Sequence, residues 1–339
     1  MKLIKTEDAV GHVLCHDITQ IIKGVTKDAV FRKGHVIREE DIPVLLSVGK
    51  ENICIWEKDE NMLHENEAAE ILYQMCRGEY MHPTPVKEGK IELVADIDGL
   101  LKVDDDKMRL INGMGQMMIA SRHGNFPVKK GDKLAGTRII PLIIEKEKME
   151  RAREIVGPEP ILRLLPFLHK KVGIVTTGSE VYHHRIQDQF TPVVLEKLAE
   201  YDTEIIGQIL CDDDHEKITA SILKLIEEGA DMVICTGGMS VDPDDRTPLA
   251  IKNTGANIIS YGAPVLPGAM FLLSYYENRI PVIGLPGCVM YARRTIFDLV
   301  LPRLMADDPI AAEELAALGQ GGLCLNCKQC TFPNCGFGK

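Results

Sequence analysis

The chain has 339 residues, of which 45% are hydrophobic, 26% charged and only 5% aromatic, an ordinary globular composition whose length suggests about two domains of roughly 150 residues each. A net charge of −11, with Lys and Arg spread along the chain, argues against a general nucleic-acid binder, which carries a basic face. No segment approaches the roughly 20 apolar residues that span a bilayer, and Met1–Asp8 lacks the apolar core of a signal peptide, so a soluble, cytoplasmic protein without nucleic-acid or membrane partners is expected.

In chain order, Val30–Ile37 looks like a strand pair bent at Gly34, and Arg38–Val48 reads as a short helix with Ile42, Leu45 and Leu46 on one face. Residues 61–77 have helical spacing through Met62, Leu63, Ala69, Leu72, Tyr73 and Cys76, and residues 90–145 are apolar segments punctuated by Gly. Together they predict a smaller α+β region over residues 1–165. Gly157-Pro158, Pro160 and Pro166 mark the boundary.

From there the pattern becomes regular. Lys171–Val175 is a continuous apolar run suited to a parallel strand buried on both faces. A helix over Thr191–Tyr201, a strand over Glu204–Leu210, a helix over His215–Glu228 and a strand over Asp231–Cys235 follow. Two more strands, Met270–Tyr275 and Pro281–Gly284, and a long helix over Tyr291–Met305 close the unit. Strand and helix alternating through short connections predict an α/β fold with a doubly wound, mostly parallel sheet over residues 166–308. Residues 309–339 read as a linker and Cys-rich tail, with Gly319-Gln320-Gly321-Gly322 as a flexible hinge.

Ligands of open α/β sheets bind beyond the carboxyl ends of the strands. Three Gly-bearing turns lie at such ends: Thr176–Glu180, Thr236–Thr247 and Gly284–Gly287. One such turn is ordinarily tight packing, but three at corresponding strand ends point to an anionic small molecule cradled by backbone N–H groups and helix N-termini. Thr177, Ser179 and Ser240 add hydroxyl donors. The nearby carboxylates Glu180, Asp188, Asp244 and Asp245 suit a bridging Mg2+. Asp213-Asp214 and Asp104-Asp105-Asp106 read as solvated turns or helix N-caps. His183-His184 are exposed loop residues or metal ligands, and Arg293 and Arg294 either face phosphate or decorate the last helix.

Six of the ten cysteines are scattered and read as buried or incidental thiols, whereas Cys324, Cys327, Cys330 and Cys335 crowd into the last 16 residues. That density predicts a metal site. The short spacings resemble the bacterial ferredoxin run and favour an iron–sulfur cluster over zinc.

Thr-Gly-Ser-Glu at 177–180, Thr-Gly-Gly-x-Ser-x-x-x-x-Asp at 236–245 and Leu-Pro-Gly at 285–287 resemble the molybdopterin-binding domain of the molybdenum-cofactor families MoeA (molybdopterin molybdotransferase) and MogA (molybdopterin adenylyltransferase). The resemblance covers about residues 168–305, with a weaker echo of a MoeA start at Asp8–Leu14. It implies that Thr177, Gly178, Ser179 and Glu180 line the pterin phosphate and nucleotide pocket, with Asp188 as the acidic loop residue. Gly237, Gly238 and Ser240 would cradle phosphate, Asp245 would be the catalytic aspartate acting through Mg2+, and Pro286 and Gly287 would shape the far wall. Molybdopterin and molybdate are the implied ligands, a homo-oligomer the implied assembly, and a molybdoenzyme or cofactor-synthesis protein the implied partner. Departures accompany the match. Cys288-Val289 replaces Asn-Pro after Leu-Pro-Gly, Asp242 replaces a glycine, and Leu266-Pro267-Gly268-Ala269-Met270 stands where MoeA has Lys-Pro-Gly-Lys-Pro. The missing lysines favour a carrier or sensor without turnover; the intact Asp245 motif favours molybdate insertion. A third relative, the competence-damage-inducible family of nucleotide pyrophosphatases, shares the Asp244-Asp245-x-Thr247 ending but places this domain first.

Overall fold

A computed structural model describes residues 2–22, 26–55, 60–240 and 245–339. The chain divides into two compact units: Met1–Asp96, Val103–Arg122 and Lys130–Arg163 form one, and Ile97–Lys102, His123–Lys129 and Leu164–Lys339 the other.

The first unit is α+β. Lys2–Lys5 pairs antiparallel with Asn52–Ile55, over a small core that includes Leu14, Ile18, Ile37, Leu45 and Ile53. A four-stranded antiparallel sheet runs in the order Met81–Pro83, Lys90–Ala95, Lys133–Ile139, Met117–Ser121. The strand pair expected over Val30–Ile37 forms differently. Val30 and Phe31 end a strand, Thr26–Phe31, whose partner Ile18–Ile22 lies upstream, and Val36 makes only an isolated bridge to Val13. The helix expected from residue 61 starts at Glu65, after a strand over Met62–His64. Its start is fixed by reciprocal capping: His64 Nδ1 accepts from the Asn66 N–H at 3.1 Å, and Glu67 Oε2 accepts from the His64 N–H at 2.9 Å. In the same way Asp104 accepts from the Lys107 N–H at 3.0 Å and caps Asp105–Gly113.

The second unit holds a six-stranded sheet. Its elements are β1 (Lys170–Thr177), α1 (Ser179–Tyr182), α2 (Phe190–Leu198), β2 (Thr203–Cys211), α3 (His215–Glu227), β3 (Met232–Thr236), α4 (Thr247–Asn253), β4 (Asn257–Tyr261), β5 (Leu272–Tyr276), β6 (Ile280–Leu285), α5 (Ile296–Met305) and α6 (Ala312–Ala317). The strand order is β2-β1-β3-β6-β5-β4. β1 is parallel to both β2 and β3, β3 is parallel to β6, and β5 and β4 are added antiparallel. The sheet is therefore mostly parallel and α/β, as its apolar runs predict. Val172, Ile174 and Val175 are fully buried, each stabilising the fold by about 1.5–3 kcal/mol relative to an exposed side chain.

The chain leaves β1 toward β2 on one side and returns to β3 on the other. The β1–β3 seam is thus the topological switch point, where crossovers diverge and open a crevice. The long helix expected from Tyr291 begins only at Ile296. Thr295 Oγ1 accepts from the Phe297 N–H at 3.2 Å and Asp298 Oδ2 from the Thr295 N–H at 2.7 Å, a capping box that sets the first turn.

The glycine run at 319–322 is not a hinge in this fold. A Cβ on Gly321 would lie 1.9 Å from the Lys339 carbonyl oxygen, and one on Gly322 2.4 Å from that of Leu318. These glycines permit close backbone approach. The tail they introduce is hydrogen-bonded in place: Leu266 donates its N–H to Gly322 O and accepts from the Cys324 N–H, both at 2.8 Å.

Candidate functional site

The turns that follow β1 and β3 meet at the switch point. Gly237 and Gly238 adopt φ +85° and +56°, a left-handed conformation in which an L side chain is strained. A Cβ on Gly237 would stand 2.3 Å from the Thr177 carbonyl oxygen, so the β3 turn lies directly on the end of β1. Thr177 Oγ1 donates to Thr236 O at 3.2 Å and lies 3.1 Å from Thr247 Oγ1, which donates to Gly237 O at 2.9 Å. Thr177 and Thr247 are both buried. These small hydroxyls therefore lock two glycine turns together and leave the backbone beyond them shaped around the seam. Thr236 Oγ1, also buried, has no hydrogen-bond partner among the described residues.

Beyond this lock, carboxylates occupy amide donors. Asp213 Oδ2 accepts from the Ser179 N–H at 2.9 Å and from Ser179 Oγ at 2.7 Å. Asp245 Oδ2 accepts from the Ser240 N–H at 2.7 Å. These are donors of the kind an anionic ligand uses, and here each already holds an oxyanion of the chain itself. Asp188 caps a helix. Its Oδ1 accepts from the Phe190 and Thr191 N–H groups at 2.8 and 3.1 Å, satisfying the open amides at the start of α2, while Gln208 Nε2 donates to Oδ2 at 3.0 Å. Burial pushes the Asp188 carboxyl up, but the hydrogen bonds from Thr191, Phe190 and Gln208 outweigh it and hold the group below the usual carboxylate range. Burial and the Asp245 carboxylate push the Tyr261 phenol up; its hydroxyl donates to Met239 O at 3.1 Å.

The structure thus brings Thr177, Gly178, Ser179, Gly237, Gly238, Ser240 and Asp245 to the two turns at the seam. Glu180 is exposed on α1. Pro286 is buried and Gly287 exposed at the end of β6, the strand that pairs with β3 on its far side. Asp244 lies outside the described residues. His183 and His184 are exposed. Asp213, which reads in the sequence as part of a solvated turn, joins the site. The run 212–214 divides its work: Asp212 pairs with Lys217 at 2.7 Å, Asp213 holds Ser179, and Asp214 caps α3 by accepting from the Glu216 N–H at 2.9 Å.

Among the described residues no group of three or more His, Cys, Asp or Glu side chains is disposed to hold a metal ion. Mg2+ needs only one or two carboxylates when substrate phosphates and water complete its shell, and the hard oxygens of Asp245 fit that requirement. All ten cysteines are free thiols. Cys15, Cys76, Cys211 and Cys235 are buried, Cys54, Cys288, Cys324 and Cys335 half-buried, and Cys327 and Cys330 exposed. Burial pushes the Cys76 thiol up to about 12 and that of Cys235 further, which makes both inert structural groups.

No helix among the described residues is long and apolar enough to cross a membrane. Residues 3–57 match a family described as a domain of unknown function. A CinA-like protein of Mycobacterium tuberculosis is 34% identical over 77 residues, which is 23% of this chain and 18% of that protein; the chain thus spans under a fifth of the curated relatives it matches. Among solved structures, the molybdopterin biosynthesis enzyme MoaB of Thermus thermophilus is 21% identical, covering 42% of this chain and 98% of its own at a TM-score of 0.33. The protein CinA of Thermoplasma acidophilum is 17% identical, covering 40% and 98% at 0.33. A molybdenum cofactor biosynthesis protein of Pyrococcus furiosus is 15% identical, covering 91% and 65% at 0.28. Residues 173–306 match the family described as a probable molybdopterin binding domain, which supports, for this domain, the resemblance carried by the three strand-end turns.

Proposed function

We propose that the chain binds molybdopterin or its adenylylated form in the crevice beyond β1, β3 and β6, within molybdenum cofactor biosynthesis. The observation that carries this reading is the contact of Gly237 with the Thr177 carbonyl. It apposes two amide-rich turns at the switch point, and the family match spans both. Ser179 and Ser240 would give their N–H groups to phosphate oxygens, displacing Asp213 and Asp245. Asp245, released from Ser240, would turn its carboxylate to Mg2+, which when bound would neutralise phosphate charge. Phosphate chemistry of this kind needs positioning and charge neutralisation more than a covalent nucleophile, so a Mg2+-dependent insertion of molybdate needs no further catalytic side chain. The same reading makes the chain a homo-oligomer that serves a cofactor-synthesis protein or molybdoenzyme.

A second reading, a carrier or sensor without turnover, is favoured by one observation. Leu266 and Ala269 stand where the resemblance puts lysines, and Leu266 is engaged on both its backbone groups by the tail. The nucleotide-pyrophosphatase reading rests on the short CinA-like match. AMP release from adenylylated molybdopterin with Mg2+ and molybdate separates them. Molybdate-dependent release by the wild type, abolished in Asp245→Ala, supports insertion. Binding without release supports the carrier, and release from ordinary nucleotides supports the pyrophosphatase.

A further inference from the structure

Cys324, Cys327, Cys330 and Cys335 all line a single cavity of about 200 Å³, together with Arg293 and Arg294. In a chain of net charge −11, no Asp or Glu is among the residues that line it. The cavity is built, not incidental. Gly322–Cys324 is hydrogen-bonded to Leu266 on one side. Arg293 Nη1 donates to Lys328 O at 2.9 Å, which fixes the loop between Cys327 and Cys330. The Arg294 guanidinium lies 4.9 Å from the Phe332 ring centroid, and both residues line the cavity with Cys330. Phe337 is buried in the sheet's core, with Phe332, Cys324 and Cys335 packed against it.

We propose that this cavity is the seat of a [4Fe–4S] cluster ligated by the four tail cysteines, with Arg293 as its cationic flank. Three features point to a cluster. Zinc collects four thiolates around one point with bonds of about 2.3 Å, whereas no three of these side chains are gathered to hold a single ion and all four cysteines line one cavity. In a cubane each thiolate takes its own iron, so the ligands stand apart, and the two-residue spacings let three of them wrap one face. A tetrathiolate cluster is anionic; the Arg293 guanidinium lines the cavity beside no Asp or Glu lining residue and offsets that charge where it forms, whereas Arg294 is already paired with the buried Asp298 carboxylate at 2.7 Å. Arg293 is a positioning residue: by holding Lys328 O it fixes the loop that carries Cys327 and Cys330, and its positive charge beside the cluster raises the reduction potential. The cluster seat stands independently of the pterin site.

The test uses the full chain purified anaerobically and supplied with ferrous iron, sulfide and a thiol reductant. The wild type is expected to retain about four irons and four acid-labile sulfides per chain, with a visible absorption that bleaches on dithionite reduction. Cys327→Ser, at an exposed position, should lose the iron while keeping the wild-type circular dichroism; Cys54→Ser should keep it. Arg293→Gln should retain the cluster at a lower reduction potential, a shift that a merely structural arginine would not produce. One tightly held zinc without sulfide overturns the proposal. So does a preparation that takes up no metal and instead pairs these cysteines as disulfides.

Discussion

Asp213 sits on Ser179: one carboxylate oxygen accepts both the backbone N–H, at 2.9 Å, and the hydroxyl, at 2.7 Å, of the residue that opens α1. The first glycine turn is therefore held in an anion-bound form by an anion of the protein. Asp213→Asn removes the charge that a phosphate would meet there while keeping an acceptor for Ser179. Anionic pterin should consequently bind tighter by about tenfold, roughly 1.4 kcal/mol, in a direct titration. Weaker binding would mean that Asp213 belongs to the ligand's own recognition.

Gly237 and Gly287 separate fold from site. At Gly237 a Cβ meets the Thr177 carbonyl at 2.3 Å and φ is +85°, so Gly237→Ala should destabilise the protein by on the order of 2–4 kcal/mol, read as a lowered urea midpoint. At Gly287 a Cβ meets nothing within 4 Å. Gly287→Ala should leave stability within about 0.5 kcal/mol and reduce ligand affinity alone.

The carboxyl of Asp188 is held below its ordinary value by the amides that it caps. The unfolded chain therefore binds this proton more readily than the folded one. The resulting stability is complete above about pH 3.8 and is lost as pH falls through the lower folded value. Asp188→Ala should cost about 1 kcal/mol at neutral pH, as loss of a cap does. It should also shallow the acid limb of a stability–pH profile; a parallel profile would show that the amides find other acceptors.

Asp298 Oδ1 accepts from Lys197 Nζ and Arg294 Nη1, each at 2.7 Å, and its carboxylate is almost wholly buried. Truncation to Ala leaves two cations without their partner, which costs about 3–5 kcal/mol for a buried pair. Thermal unfolding of Asp298→Ala should show that loss.

Much of the second unit is legible from residues. The α3 stripe of Ile218, Ile222 and Leu225 and the continuous apolar runs of β1 and β3 announce a parallel sheet, because burial on both faces leaves no polar alternation. β4 and α4 escape a reading of the pattern for different reasons. Asn257–Tyr261 is a half-exposed edge strand with no buried residue, and Thr247–Asn253 is a seven-residue helix, too short to show a period. The glycines of the three turns mark the site, but Asp213 cannot be read there. Its partner Ser179 is 34 residues away, and an acidic pair before a helix has a local explanation, capping, that its neighbour Asp214 in fact fulfils. Nor does the sequence foretell the tail's docking, since glycine serves close approach and freedom equally well.

Pterin binding at the seam is best probed by titrating molybdopterin, kept anaerobic, into the wild type, Gly287→Ala and Asp213→Asn while following pterin fluorescence. Saturable binding to the wild type is expected, weakened in the first variant and strengthened in the second. Absence of saturable binding, or an affinity indifferent to both substitutions, would contradict a pterin site at the ends of β1, β3 and β6.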